Sequence, residues 1–432
     1  MRENALNIIP AIAFTQPIVT GSTGMRRWHM VQGPEAMKQV FLDKVEHYPK
    51  ADVIIRMLRA AVGKSLFTSE GPAWRWQRRS IAPVFAAKNV NALAPLMTAT
   101  AKRTAARLET AECPAEMVQE MLSATFEVIC DVALSGRAHF DTETYCDAVT
   151  HYMLTAGRAS LLDFLDLPNW LPRPGELLAQ KSVSTMHDMV RKAIKARQNQ
   201  PQRRTAGQEA TEDLLDYMLK AKDPETGRTM NEQDLLYNLQ FFIVAGHETT
   251  ALTLAWALYL LAHDQDSQAH AHEEARAAVK GEAATLEDLE KAPYIEQVLN
   301  ETMRLYPPVG FLARKALGKD QLYDRDVKQG DTVFLNLYSM HRHQDLWSEP
   351  DIFNPGNFDQ QQNEKREKFQ FLPFGAGPRI CVGANFAMLQ AKIILTTLLA
   401  RFHFEPTPIV PTPVMQMTIR PEPGICLKVN PL

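Results

Sequence analysis

The spacing of apolar and polar positions along the chain predicts a fold made mainly of helices. Apolar residues recur every three or four positions, the period of one helix face, in the segments 34–44, 90–111, 214–222 and 294–305. Alternating apolar residues, typical of strands, occur at 17–27 and in a late hairpin with Met415, Met417 and Ile419 before a turn at 421–424. We therefore expect a mainly α (α+β) fold, with a helical body beside a small β-rich region.

The longest predicted helix lies past the middle of the chain. Thr229-Met-Asn-Glu232 has the pattern of a capping box, and helical periodicity continues from there to about His263. Inside it lies the segment Ala245-Gly246-His247-Glu248-Thr249-Thr250. Glycine here costs about 1 kcal/mol relative to alanine, and adjacent threonines also favour helix poorly. Such a local conflict is expected at functional sites, so this segment is a candidate for chemistry.

Length and motif content bear on the number of domains. A chain of 432 residues exceeds the size at which one hydrophobic core usually stops growing. The polar segment 195–207 is nevertheless interpreted as a surface loop because helical patterns flank it closely. No dinucleotide fingerprint and no ferredoxin-type cysteine spacing occurs. We therefore predict a single domain over 1–432, with no fused reductase or ferredoxin.

Charge and cysteine content exclude several classes of protein. A net charge of -3 lacks the basic excess that phosphate binding requires, which excludes nucleic acid as a partner. The five cysteines are scattered and form no C-x-x-C pair, so neither a disulfide framework nor a zinc site is indicated, and a cytoplasmic location is favoured. The apolar stretch 5–19 is too short to cross a bilayer. It is predicted to form an amphipathic helix followed by a strand, and no membrane span is expected.

One cysteine stands in a glycine-rich loop directly before an apolar helix at 384–402. The loop reads Phe374-Gly-Ala-Gly377-Pro-Arg379-Ile-Cys381-Val-Gly383. A helix N-terminus favours the thiolate form of a nearby cysteine, which is the form that ligates iron. Gly377 and Gly383 would let the backbone approach a flat cofactor closely, and Phe374 would shield the sulfur from water. An isolated cysteine is more often an inert buried thiol, so the surrounding pattern decides the interpretation.

That pattern, F-x-x-G-x-R-x-C-x-G, resembles the haem-binding signature of the cytochrome P450 superfamily at every defined position. Three further motifs appear in the family's order. Trp74-Arg-Trp-Gln-Arg78 resembles its W-x-x-x-R element, 245–250 its oxygen-activation motif, and Glu301-Thr-Met-Arg304 its E-x-x-R pair. The resemblance implies the cytochrome P450 fold with its long central helix over the haem, a soluble bacterial-type haem-thiolate monooxygenase, and haem b (iron protoporphyrin IX) with Cys381 as the iron ligand.

The resemblance also implies which residues bind the cofactor. The haem propionates would be paired by the forked donors of Arg78, Arg314 and Arg379, and by the indole N–H of Trp74. Arg78 would otherwise be a solvated charge in a basic run, and its neighbours Arg75 and Arg79 are predicted to be surface residues. Ala245 and Gly246 would lie on the oxygen side of the cofactor, where the glycine leaves room for oxygen.

Thr249 and Glu248 are the predicted catalytic residues. Breaking the O–O bond of dioxygen requires protons, and a hydroxyl that orders water and a carboxylate that relays protons suit this task. The alternative is a polar patch on a buried helix, with Thr249 bonded to its own backbone.

Glu301 and Arg304 are assigned a structural role. At i and i+3 they share one helix face and can form an ion pair that holds the loop of Cys381. In the family an arginine from a P-E-R-F-like motif joins this pair, but Asn357 stands at that place here. The third charge is therefore lost, and Asn357 is expected to substitute by hydrogen bonding.

Two histidine clusters offer metal-ligand residue types outside these motifs. His341 and His343 with Asp345 resemble a facial-triad iron site, and His270 and His272 form a second pair. Alternate residues share a face only on a strand, which neither segment indicates. Surface or structural roles are therefore favoured for both.

The predicted reaction inserts one oxygen atom of O2 into a hydrophobic substrate by hydroxylation or epoxidation, while the other leaves as water. Electrons would come from NAD(P)H through a reductase and a separate ferredoxin or flavodoxin. The segment Gly246-His-Glu-Thr-Thr250 resembles family members that act on fatty acids, so a fatty-acid-like or terpenoid-like substrate is expected. The segment 163–174 is a candidate lid over the access channel, and a packed loop is an equally good interpretation. The substrate pocket implied by the resemblance is strongly apolar and consists of Ile54, Met57, Leu58, Phe242, Ala245, Val309, Phe311, Met415 and Met417.

Two other classes of function stay open. A peroxide-driven peroxygenase or haem isomerase would use the same Cys381 but needs no proton relay, so Glu248 and Thr249 count against it. A non-catalytic haem ligand sensor needs no electron donor. If no ferredoxin and no flavodoxin reduces the protein, that class is favoured.

Overall fold

Helices account for most of the chain in the computed structural model, which describes residues 4–24, 26–111, 113–133, 141–156, 174–199 and 212–432. The mainly α (α+β) prediction is confirmed. The helices are α1 (Pro34–Lys38), α2 (Asp52–Val62), α3 (Gly71–Ile81), α4 (Ala87–Ala92), α5 (Ala94–Glu109), α6 (Met117–Ala133), α7 (Thr142–Thr155), α8 (Pro174–Asn199), α9 (Leu214–Lys220), α10 (Glu232–His263), α11 (Gln265–Ala278), α12 (Pro293–Leu305), α13 (Leu337–Met340), α14 (Gln360–Lys365) and α15 (Ala384–Arg401).

The strands form small separate sheets. They are β1 (Ile18–Thr23), β2 (Arg26–Val31), β3 (Ala115–Glu116), β4 (Phe311–Lys315), β5 (Asp320–Leu322), β6 (Arg325–Val327), β7 (Thr332–Asn336), β8 (Phe402–Pro406), β9 (Thr412–Met415), β10 (Ile419–Glu422) and β11 (Cys426–Pro431). The largest sheet has the order β1-β2-β7-β4, in which only β2 and β7 run parallel. A second sheet has the order β3-β11-β8, and β9–β10 and β5–β6 are antiparallel pairs.

Contacts between backbone positions divide the chain into two compact units. The first unit comprises Met1–Lys50, Met97–Thr125 and Glu248–Leu432, and the second comprises Ala51–Leu96 and Phe126–His247. All described strands belong to the first unit. The single domain predicted from the sequence stays a prediction.

The core beside the large sheet positions the cysteine loop. Val31, Val333 and Leu335 of the sheet are fully buried and belong to one cluster with Phe41, Leu372 and other apolar side chains. Burying a large apolar side chain contributes about 1.5–3 kcal/mol. Because Leu372 lies just before the loop that carries Cys381, burial in this core fixes the start of that loop.

Several local predictions were wrong in detail. The predicted amphipathic helix near the N-terminus is replaced by two short 3-10 turns, Ala5–Ile8 and Ala11–Phe14. Pro10 separates them, since proline cannot donate the hydrogen bond that would continue a helix. The segment predicted as one early strand, 17–27, contains β1 and the start of β2, which pair as a hairpin.

The late hairpin also turns at a different place from the predicted one. Strands β9 and β10 pair Met415 with Ile419 and Pro413 with Pro421, so Met417 lies in the tip. The segment 421–424 instead leads from β10 toward β11, which pairs with β8. The alternation of Met415, Met417 and Ile419 therefore does not mark one continuous strand.

Helix α10 is the long helix that the sequence predicts, with a different cap. Asp234 N–H donates to the Asn231 side chain at 2.8 Å, and Asn231 N–H donates to the Asp234 carboxylate at 3.3 Å. This reciprocal pair has the form of a capping box, so the predicted box at Thr229 and Glu232 is wrong. Helix α10 is long and apolar enough to cross a membrane, but 72% of its most apolar 18-residue stretch is buried in the protein. Packing accounts for that composition.

Two predicted surface features lie largely outside the described residues. The candidate lid at 163–174 lies almost entirely outside the described residues. The predicted surface loop at 195–207 begins inside α8, which continues to Asn199, and residues 200–207 lie outside the described part of the chain.

Candidate functional site

The loop before α15 carries Cys381 and is held by its own backbone hydrogen bonds. Cys381 N–H donates to the Phe374 carbonyl at 2.9 Å, and Ile380 N–H donates to the Gly377 carbonyl at 3.1 Å. The thiol is exposed, and the neighbouring Ile380 side chain is 41% exposed. Backbone hydrogen bonds therefore hold the loop, and the side chains of Cys381 and Ile380 lie on its accessible side.

The helix that follows supplies electrostatic support for an ionised sulfur. Helix α15 begins at Ala384, its N-cap is Gly383, and no side chain caps its first turn. Unpaired N–H groups of a first turn carry partial positive charge. Cys381 lies three residues before Ala384, so these groups would favour the thiolate form of its sulfur, as the sequence predicts.

Gly377 has a structural reason that the sequence does not reveal. Its φ is +66°, a conformation that side-chain-bearing residues rarely adopt. A Cβ built at this position would lie 2.1 Å from the Phe41 carbonyl oxygen. The glycine is therefore required for contact with the Phe41 backbone, and its role in close approach to a flat cofactor stays a prediction.

A buried ion pair stands in the same unit. Arg304 donates from Nε to Glu301 Oε2 at 2.7 Å and from Nη2 to Oε1 at 2.8 Å, and both side chains are 0% exposed. The remaining Arg304 N–H groups donate to the carbonyls of His341, Pro350 and Ile352. The guanidinium thereby ties α12 to the segment 341–352.

Asn357 takes part in this cluster. Its Nδ2 donates to Glu301 Oε1 at 3.2 Å, and Asn354 N–H donates to the same oxygen at 2.8 Å. The hydrogen bond expected from the sequence is thus present. An amide carries no charge, so Asn357 does not replace the third charge that the motif lacks.

The arginines and the tryptophan predicted to bind propionates are distributed over the two units. In the first unit Arg314 lies on β4, is 6% exposed and faces the Phe41 ring at 5.8 Å, while Arg379 ends a short 3-10 turn in the cysteine loop. In the second unit Trp74 and Arg78 are half-buried on α3, four residues apart and therefore on one face. Their roles toward the cofactor stay predictions.

Arg79 is not the free surface charge that the sequence suggests. It donates from Nε and Nη2 to the two carboxylate oxygens of Asp223 at 2.7 and 2.8 Å. The hydrogen bonds from Arg79 hold the pKa of Asp223 well below its ordinary value. Arg79 therefore fixes α3 to the turn at Asp223.

Glu248 on α10 has partners that the sequence does not reveal. Its side chain is 8% exposed, and its Oε1 accepts from Arg420 Nε at 2.6 Å and from the Thr418 hydroxyl. Burial lowers the pKa of Arg420, but the hydrogen bond and charge of Glu248 outweigh burial and leave it raised. The predicted proton-relay carboxylate is thus held by the tip and second strand of the late hairpin.

The neighbouring positions on α10 differ in their surroundings. The Thr249 carbonyl accepts from the Thr253 hydroxyl at 3.0 Å, and Thr249 is half-buried. A Cβ built on Gly246 would lie 3.0 Å from Ile129 Cδ1. The missing side chain of Gly246 therefore makes room for Ile129 on α6, and room for oxygen stays a prediction.

We expect Glu248→Gln to lower turnover about 100-fold, since positioned proton transfer is worth about 10²–10⁴-fold. Arg420→Gln should lower it less, about tenfold, because Thr418 still holds the carboxylate. The measurement is product formed per electron consumed with a surrogate electron donor, together with the solvent deuterium isotope effect. The control is Lys428→Gln, which breaks the exposed pair of Lys428 with Glu405. If turnover and product formed per electron consumed are the same in Glu248→Gln and in the control, the proposed proton relay is contradicted.

Some residues predicted to line the substrate pocket lie on two segments of the first unit that pack together, and their role in a pocket stays a prediction. A Cβ built on Gly310 would lie 2.7 Å from Met415 Sδ and 3.1 Å from Ile419 Cδ1, and Ile419 N–H donates to the Pro308 carbonyl at 3.0 Å. The segment carrying Val309 and Phe311 therefore packs directly on the late hairpin. Met415 is 3% exposed and Met417 is half-buried.

The pocket residues predicted from the second unit lie on two helices. Ile54, Met57 and Leu58 belong to α2, and Phe242 and Ala245 to α10. Leu58 and Phe242 are buried, and the Phe242 ring packs edge-on against Phe85 at 5.0 Å. Ile54, Met57 and Ala245 are half-buried.

Both histidine clusters have structural roles. His341 is fully buried and accepts the Leu372 N–H at 3.0 Å through Nε2, and burial, with the nearby Arg304 charge, lowers its pKa to about 3. His272 hydrogen-bonds the Leu399 carbonyl at 2.6 Å and the Gln268 side chain. Across the residues that the structure describes, no group of three or more His, Cys, Asp or Glu side chains is placed to hold a metal ion.

Known proteins resemble the chain over nearly its whole length. The family model "Cytochrome P450" matches residues 11–429. Cytochrome P450 4B1 of Rattus norvegicus is 29% identical over 407 residues, covering 89% of this chain and 78% of the relative. Cytochrome P450 4F12 of Homo sapiens is 26% identical, covering 92% and 79%, and the Arabidopsis thaliana protein LUTEIN DEFICIENT 5, chloroplastic, is 28% identical, covering 91% and 68%. The solved cytochrome P450DA heme domain superposes with a TM-score of 0.83 at 23% identity, covering 96% of this chain and 90% of that one.

The residues present fit the cofactor of that family. A cysteine on a hydrogen-bonded loop before a helix N-terminus is suited to supply the thiolate that haem iron takes as a ligand. Half-buried Arg379 on the loop and buried Arg314 on β4 offer forked donors suited to carboxylates. From the family match, the fold and this donor set, we conclude that the chain belongs to the cytochrome P450 family and is a monooxygenase that carries haem b.

Proposed function

We propose that this monooxygenase hydroxylates or epoxidises an apolar aliphatic substrate, of fatty-acid or terpenoid type. The observation that carries the proposal is the packing of the Val309–Phe311 segment on the Met415 hairpin, with Gly310 at the contact. The residues there offer methyl, thioether and phenyl groups, which bind apolar chains by burial and offer no charge to a polar ligand. The Gly246-His-Glu-Thr-Thr250 pattern also resembles family members that act on fatty acids.

The chemistry divides between the cofactor and the chain. When bound, haem b supplies the activation of O2 for insertion into a C–H or C=C bond. Cys381 would hold the iron, and Arg78, Arg314, Arg379 and Trp74 would orient the cofactor through its propionates. Glu248 and Thr249 would supply the protons that reduction of O2 requires, and the apolar residues would exclude water.

We also propose that the electrons reach the enzyme from NAD(P)H through a reductase and a separate ferredoxin or flavodoxin, and that it works in the cytoplasm as one domain. Turnover with such a donor and O2, and none with hydrogen peroxide alone, would support this arrangement. Turnover with hydrogen peroxide alone would favour a peroxygenase. Failure of every donor to reduce the protein would favour a haem ligand sensor.

Chain length is expected to control binding of saturated carboxylic acids. Burial contributes about 0.8 kcal/mol per CH2 group, so Kd should fall about fourfold with each added carbon until the pocket is filled. The measurement is the spin-state shift of the Soret band on titration with acids of increasing length. Dicarboxylic acids of equal length are the control, because their second charge must be desolvated. A Kd independent of chain length would overturn the proposed substrate class.

A further inference from the structure

The cluster around Glu301 has one arginine fewer than the family's pattern. Glu301 accepts from Arg304, from Asn354 N–H and from Asn357, all within 3.2 Å. In the family the motif at 357 supplies an arginine, whereas this chain supplies an uncharged amide. The segment that follows α12 in this cluster is therefore held by one guanidinium where the family's pattern has two.

Arg366 brings a guanidinium back to the same place from nine residues farther along the chain. It directly follows α14, its Nη2 donates to the Asn357 carbonyl, and its Nη1 donates to the Asn363 side chain. The hydrogen bond to Asn357 attaches it to the residue that contacts Glu301. Arg366 thus contacts the position at which the motif lacks its charge.

The guanidinium group of Arg366 lies among aromatic rings. Its guanidinium carbon lies 4.2 Å from the centre of the Phe358 ring and 5.5 Å from that of Trp347. Trp347 also faces Arg304 at 4.9 Å. Arginine stacks on aromatic faces through both its charge and its plane. Arg304 and Arg366 therefore both interact with the Trp347 ring.

Electrostatic coupling agrees with this geometry. Burial lowers the pKa of Arg366, the Glu301 carboxylate opposes that effect, and Arg304 adds to it. The half-buried side chain therefore interacts with both members of the ion pair. A solvated surface arginine would show neither the burial nor the coupling.

We propose that Arg366 is a positioning residue that restores the third charge of the Glu301–Arg304 cluster from a different point in the sequence. Through Asn357 and Phe358 it holds the segment 353–358 against Glu301. The Glu301 carboxylate also ties that segment to α12. Arg366 would therefore act on haem binding through this segment.

The test moves the charge between the two positions. Holoprotein variants are Arg366→Gln, Arg366→Lys, Asn357→Arg, the double variant N357R/R366Q, and the control Lys365→Gln, which removes an exposed neighbouring charge. The readouts are the rate of haem transfer to an excess of a haem-accepting protein and the fraction of the reduced carbon monoxide complex that keeps the thiolate-type Soret band.

The expected results depend on background. Arg366→Gln should release haem about tenfold faster, as expected for loss of a stacked, hydrogen-bonded guanidinium, and Lys365→Gln should match the wild type. Arg366→Lys should be intermediate, since it keeps the charge but loses the plane. Asn357→Arg should slow haem loss in the Arg366→Gln background and have little effect in the wild type, which is a non-additive result.

Two outcomes would overturn the proposal. One is haem retention by Arg366→Gln equal to that of Lys365→Gln. The other is failure of N357R/R366Q to improve on Arg366→Gln, because a shared charge must be recoverable at position 357. If Arg366→Gln yields no holoprotein, recovery of holoprotein by the double variant supports the proposal and its absence overturns it.

Discussion

Cys381→Ala is expected to abolish the far red-shifted Soret band of the reduced carbon monoxide complex and to remove monooxygenase turnover. The band depends on a thiolate ligand, and electron donation from that sulfur favours cleavage of the O–O bond. The loop itself should keep its shape, because its hydrogen bond at position 381 uses the backbone N–H and the Phe374 carbonyl. The measurement is the carbon monoxide difference spectrum of the purified variant, with circular dichroism to verify folding.

Cys113→Ala is the matched control for that variant. Cys113 is also an exposed cysteine, and it lies far from the loop in the sequence. The control should keep the thiolate-type band and turnover. Persistence of the band in Cys381→Ala, or its loss in Cys113→Ala, would refute the assignment of the iron ligand.

Glu301→Gln is expected to lower the free energy of unfolding by about 3–5 kcal/mol, the cost of leaving a buried charge without its partner. Arg304 is 0% exposed and would keep its positive charge, while glutamine can accept only part of its hydrogen bonds. Glutamine also turns an NH2 group toward either Arg304 Nε or the donors of Asn354 and Asn357, so one of these sets of hydrogen bonds is lost. Urea unfolding of the holoprotein measures the effect, and haem content should fall with it.

The control for Glu301→Gln is a pair with the same spacing on a helix surface. Asp188 and Arg191 also stand at i and i+3, at 2.9 Å, but their side chains are 57% and 37% exposed. Asp188→Asn should cost less than about 1 kcal/mol, as exposed ion pairs do. Equal losses in the two variants would contradict the structural role of the buried pair.

The candidate site was predictable where its parts are short in sequence. The cysteine loop, the E-x-x-R pair and the pattern in α10 each occupy about ten residues or fewer, so spacing alone places their side chains relative to one another. The helix face shared by Trp74 and Arg78 follows from the same local geometry. Prediction failed within short segments where several local solutions compete, as at the α10 cap, where Asn231 and Asp234 replace Thr229 and Glu232.

The partners of the site residues were not predictable in this way. Thr418 and Arg420 reach Glu248 across about 170 residues of chain. Polar side chains at alternate positions around Ile419 are the one sequence signal that marks them. Gly377 likewise owes its place to Phe41, more than 300 residues earlier, and no local pattern distinguishes that packing from contact with a cofactor.

Helix periodicity and motif chemistry are local properties, so the mainly helical fold, the cysteine loop before an apolar helix and the missing charge at Asn357 follow from the sequence alone. The groups that contact those motifs are visible only in the folded protein: Arg420 on Glu248, Met415 against Gly310, and Arg366 beside Asn357. Hydrogen bonds and packing act over a few ångströms in space and carry no preferred separation along the chain. A contact across α10 and the late hairpin therefore exists only once the chain has folded.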